Sequence, residues 1–151
     1  MKRYILTLLA LFVLSMASVS AAPQDRQKRQ AWFNNMIQTK VDYLAKQLAM
    51  TPEQKTKFEK SYKEMAAETS KLANETRAME KNVSSKASAT DLEYEKAAEA
   101  MAEFKSKEGA IEMKYYKQYK TFLTKKQLFQ LKIAENKWMK EMMRHRAKKG
   151  K

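Results

Sequence analysis

From Trp32 onward the apolar residues recur three and four positions apart, the spacing of a helix face rather than of a strand. Phe33, Ile37, Val41, Leu44 and Leu48, widened by Trp32, Met36 and Tyr43, predict a first helix from about Asp25 to Ala49. Met50-Thr51-Pro52-Glu53-Gln54 then forces a bend at 49–51. Thr51 serves as N-cap, Pro52 fits the first helical position, and Gln54 sits where it can close a capping box. The second helix is predicted from Pro52 to about Val83. Its seam of Phe58, Tyr62, Met65, Thr69, Leu72, Thr76, Met79 and Val83 steps alternately by four and three, as in coiled-coil packing. Asn82 to Ala89, rich in serine, reads as a loop, and Thr90-Asp91-Leu92-Glu93 is a second capping box that starts a third helix. That helix carries Tyr94, Ala97, Met101, Phe104, Ile111, Tyr115 and Phe122 at helical spacing. Gly109 in its middle costs about 1 kcal/mol relative to alanine, which suggests a close helix crossing or a bend. Leu123-Thr124-Lys125-Lys126-Gln127 is a third box. After it, Leu128, Leu131, Ala134, Trp138 and Met142 share one face of a fourth helix.

With only two glycines, two prolines and no strand-like alternation, the fold class is all-α. Four helices, two of them long, with short connections predict a thin, extended, hairpin-like layer. Such a layer buries little apolar surface, so a dimer, or apolar surface left open for a purpose, is expected.

The N-terminus alters the picture. Lys2 and Arg3 precede an apolar run from Ile5 to Met16, followed by small residues from Ala17 to Ala22. This is the layout of a signal peptide, too short for the roughly 20 residues of a membrane span. Cleavage is expected after Ala21, giving a leader at 1–21, a helical domain at 22–143 and a basic, disordered tail at 144–151. The chain has no cysteine, which excludes a lipoprotein anchor, disulfides and catalytic thiols. The expected location is the periplasm.

Charge narrows the partners. The formal net charge is +14, and the segment from Phe122 onward holds ten basic residues against two acidic ones. Export argues against nucleic acid. Anionic lipid or lipopolysaccharide, acidic protein surfaces and unfolded chains are the plausible partners.

The two bends share one pattern, apolar-Thr-x-x-Gln: Met50, Thr51 and Gln54 in the first, Leu123, Thr124 and Gln127 in the second. Together with the leader, the helical layout and the lack of cysteine, this resembles the LTxxQ repeat of the Spy/CpxP family of periplasmic proteins. The first copy departs from it by having Met50 for leucine. The resemblance implies a cradle-shaped dimer that acts as an ATP-independent chaperone or envelope stress-response module. It also implies an envelope sensor kinase as a partner of some members, and metal binding in the ZraP- and CnrX-like ones.

Client contacts are expected from basic and apolar groups of the first and last helices: Arg29, Trp32, Lys132, Met139 and Met143. Lysine attracts at long range, and methionine adapts to varied partners. Met65, Met79 and Met101 are assigned to the core instead. Met139, Met142, Met143 and His145 could offer soft ligands to copper(I), but the surrounding cations oppose it, and no metal or other cofactor is expected. His145 is the only histidine and no phosphate-binding glycine loop exists, so catalysis is not expected. Phe129 and Ile133 beside lysines make anionic membrane or lipopolysaccharide binding the second reading.

Overall fold

The computed structural model describes residues 23–149. The predicted leader at 1–21, its cleavage site, and residues 150–151 lie outside the described residues. Four helices follow in order: α1 (Pro23–Gln47), α2 (Pro52–Ser84), α3 (Asp91–Tyr119) and α4 (Lys125–Lys149). There is no strand among the described residues, and the fold is all-α. None of these helices is long and apolar enough to cross a membrane.

The described residues fall into two units, 23–34 and 35–149. In the first, residues 23–34 are the opening turns of α1. Its local bonds run along the helix, Arg29 Nε donating to the Asp25 carbonyl and Gln30 Nε2 to Asn34 Oδ1 at 3.0 Å. The second unit holds the rest of α1 and the other three helices.

Within that unit, α1 ends by a left-handed residue. Ala49 has φ 46°, Met50 N–H donates to the Ala45 carbonyl at 3.0 Å and Ala49 N–H to that of Lys46 at 3.2 Å. This pair of bonds satisfies carbonyls that a helix end otherwise leaves open. The chain reverses into α2, capped by Thr51 with Pro52 in its first turn. The other two connections are a loop at Ser85–Thr90, closed by the Thr90–Glu93 capping box, and a turn at 120–124 that leads into α4.

α2 and α3 are an antiparallel pair. Glu68 ties them, accepting from Tyr115 Oη at 2.7 Å and from Lys114 Nζ at 2.5 Å. The core lies where α1 and α4 join this pair: Val41, Leu44, Leu48, Phe58, Tyr62, Tyr115, Tyr119, Leu123, Leu128 and Leu131 are buried. Phe58 stacks on both Tyr62 and Tyr119, with ring centroids 5.1 Å apart in each case. Tyr43 of α1 meets Trp138 of α4 at 5.0 Å.

Several expectations change here. The seam of α2 is buried at Phe58, Tyr62 and Val83, but Met79 is 48% exposed. On α3, Met101 is 50% exposed and Tyr94 is exposed as well. These two methionines are therefore not core. In a two-helix layer each helix covers only one side of the other, and side chains off that line stay in water. Gly109 does not mark a close crossing: a Cβ added there would meet nothing within 4 Å, and α3 is continuous through it. Helix α4 does not fray at Arg144 but continues to Lys149, so the tail predicted to be disordered is helical through that residue. Arginine, alanine and lysine are good helix formers, and their positive charges suit the negative end of the helix dipole.

Candidate functional site

The two apolar-Thr-x-x-Gln turns meet. Each threonine hydroxyl accepts from the backbone N–H three residues on, Thr51 from Gln54 and Thr124 from Gln127, both at 3.2 Å. Each glutamine Oε1 accepts in return from its own threonine N–H, at 3.0 and 2.9 Å. The amide nitrogens then cross over. Gln54 Nε2 donates to the Phe122 carbonyl at 2.8 Å, and Gln127 Nε2 to the Leu48 carbonyl at 3.1 Å. The two amides also bond each other, Nε2 to Oε1 at 3.1 Å in both directions. The turn between α1 and α2 is thus clipped to the turn between α3 and α4, 73 residues away. Leu123 and Leu128 are both buried, a hydrophobic staple across the start of α4, while Met50 is half-buried. These six motif residues shape the scaffold.

Below the turns, a polar cluster joins all four helices. Tyr62 Oη donates to Glu135 Oε1 at 2.9 Å, and Lys132 Nζ reaches Glu112 at 3.0 Å and Glu135 at 3.8 Å. Lys40 Nζ lies 5.4 Å from the centre of the Tyr62 ring. Burial lowers the Lys40 ammonium, partly offset by Glu135. Burial, then the Glu135 carboxylate, pushes the Tyr62 phenol far above its usual value, and burial does the same to Tyr119. Neither phenol is a candidate acid or base in the neutral range.

Beside this cluster an open cleft of about 410 Å³ lies between α3 and α4, floored by Met65 of α2. Met113, Tyr116, Tyr119, Leu128 and Leu131 make its walls, with Glu112, Lys132 and Glu135 along one side. Gly109 is part of the wall, so the absent side chain leaves the cleft open at that point. Apolar walls with a few polar groups are the usual make-up of a binding cleft. Gly109 stands out in the sequence for its helical cost, but its place on this wall depends on the packing of α3 against α4.

The residues read from sequence as client-contacting do not converge on this cleft. Lys132 lines it and is held by Glu112. Met139 and Met143 are exposed on the outward side of α4 together with Phe129 and Ile133. Trp32 and Arg29 lie exposed in the opening turns of α1. Of the soft-ligand residues, Met139, Met143 and His145 are exposed. Met142 is half-buried, and residues two apart on a helix, such as Met143 and His145, do not face each other. No group of three or more His, Cys, Asp or Glu residues is placed to hold a metal among the described residues.

No family model matches the chain, and comparison with the curated proteins and with the solved structures likewise gives no match.

Proposed function

We propose that this protein is an exported, ATP-independent chaperone that holds unfolded segments by binding, without catalysis. The observation that carries the reading is the open α3–α4 cleft, walled by methionine, tyrosine and leucine in a chain of net charge +14. A folding intermediate exposes apolar groups and some negative charge. The basic surface draws it in at long range, and the cleft holds an apolar side chain loosely. Methionine walls suit this, because an unbranched thioether adapts to side chains of different shape. Of the contacts expected from sequence, Lys132 belongs to this surface, and Arg29, Trp32, Met139 and Met143 do not line it. The resemblance of the paired apolar-Thr-x-x-Gln turns to the LTxxQ repeat supports the same reading, together with its periplasmic setting, a homodimer and an envelope sensor kinase as a further partner.

The test is aggregation of an unrelated unfolding protein followed by light scattering, with neither nucleotide nor lipid present. Near-stoichiometric amounts of this protein are expected to delay the aggregation curve. Raised salt should weaken capture, because it screens the long-range attraction. An unchanged curve at several-fold excess ends the chaperone reading.

A further inference from the structure

Helix α4 has two apolar faces. Leu128, Leu131 and Ala134 are buried on the inner one. Phe129 and Ile133, 72% and 54% exposed, lie on the other with Met139 and Met143. At 100° per residue these four fall within roughly a 120° sector. Lys140 stands among them, between Phe129 and Ile133, and Lys126 and Lys137 border the sector on the Ile133 side; all three are exposed and none is in an ion pair among the described residues. The helix has two acidic residues, Glu135 and Glu141. Glu135 is taken up by Tyr62 and Lys132, and Glu141 lies outside the sector, about 120° round the helix from Phe129. A second feature is independent of this face. The first turns of α1, α2 and α3 carry Asp25, Glu53, and Asp91 with Glu93, whereas α4 has no acid there and opens on Lys125-Lys126. Lysines at a helix N-terminus oppose the helix dipole, so their charge weakens the helix that bears it.

We propose that the outer face of α4 docks on an anionic phospholipid surface. The apolar side chains enter the boundary between headgroups and acyl chains, while the lysines among and beside them reach up to the phosphates. Charge complementarity selects this occupant. A helix side on which exposed apolar groups alternate with unpaired lysines suits a surface that is apolar within and anionic at its edge. A second copy of this chain would bring its own lysines against these. The docking does not depend on the chaperone reading, because it uses the outward side of α4 and leaves the cleft free.

The test is flotation of the full chain with vesicles of phosphatidylglycerol and phosphatidylcholine, against vesicles of phosphatidylcholine alone. Residues 1–22 are common to every variant, so differences between variants report α4. The wild-type chain is expected to float with the anionic vesicles and to lose binding as salt rises. Phe129→Ser with Ile133→Ser should weaken partitioning at least tenfold, and Lys126→Gln with Lys137→Gln on the order of tenfold. Because all four side chains are exposed, helical circular dichroism should be unchanged, which separates lost docking from lost folding. Equal binding to both vesicle types, or a serine variant that floats like wild type, would overturn the proposal. So would a serine variant whose only change is a smaller sedimenting mass, which would make the face a contact between copies. Aggregation suppression by the serine variant is expected to survive, so failure here and failure of the chaperone reading are distinguishable.

Discussion

Glutamine and glutamate serve equally as the third helical residue of a capping box, and the chain uses both. Glu93 caps α3 with Lys86 beside it, whereas Gln54 and Gln127 cap α2 and α4 and also donate across to the opposite turn. A carboxylate could accept the threonine N–H at either of these positions but has no hydrogen to give the Leu48 or Phe122 carbonyl. Gln127→Glu therefore keeps the local cap and loses two donated bonds, leaving two acceptors facing a charge. Its expected cost is about 2 kcal/mol, against about 1 kcal/mol for Thr124→Ala, which removes the cap alone. Chemical denaturation of both variants checks the order. If Gln127→Glu unfolds no earlier than Thr124→Ala, the crossed amides contribute nothing to stability. The caps could be read from sequence because each bond spans three residues. The crossing could not, because its partners are 73 residues apart and no local pattern encodes which helix starts will meet.

At the scale of the helices, the loop between α2 and α3 depends on one carboxylate. Glu93 accepts from Lys86 Nζ and from the Thr90 backbone N–H, and these bonds, the lysine first, pull its pKa from the usual 4.5 down to about 2. A depressed carboxylate stabilises the fold above its unfolded value, and that contribution is lost as pH falls from about 4.5 through about 2. A carboxyl-carbon NMR titration should place the Glu93 midpoint near 2, and Glu93→Gln should flatten the acid limb of the melting curve. A midpoint in the ordinary glutamate range would show that the bonds to Lys86 and Thr90 do not hold the carboxylate in solution. The start of α3 at Asp91 follows from its capping box, and its buried line is only half visible in the pattern. The spacing from Tyr115 to Phe122 leaves out Tyr119, one turn on from Tyr115 and among the most buried aromatics. The heptad of α2 pointed correctly to Phe58 and Tyr62 but also to Met79, which is half exposed. Periodicity reveals which side of a helix is apolar. Whether another helix covers that side depends on partners far along the chain.

For the molecule as a whole, Gly109 decides between the proposed function and an incidental cleft. Glycine within a helix costs about 1 kcal/mol relative to alanine, and α3 gains nothing in packing from it, because no atom lies within 4 Å of where a Cβ would stand. The open wall at Gly109 is room that a client side chain can enter. Gly109→Ala should raise the unfolding free energy by about 1 kcal/mol and leave aggregation suppression intact, since one methyl group fills little of about 410 Å³. Gly109→Leu should also fold, with its longer side chain extending into the same open space. If client side chains use the cleft, that variant should need several times more protein to reach the same delay in aggregation. The alanine variant controls for helix stability, so a loss specific to leucine reports occupancy of the cleft and not a change in the fold. Salt separates the two halves of the mechanism. At low salt the +14 charge still draws clients to either variant, so the initial encounter should be equally fast. What the leucine variant should lose is retention, seen as faster release of a fluorescent client in a dilution experiment. Equal release from Gly109→Leu and the wild-type chain would remove the cleft from the mechanism.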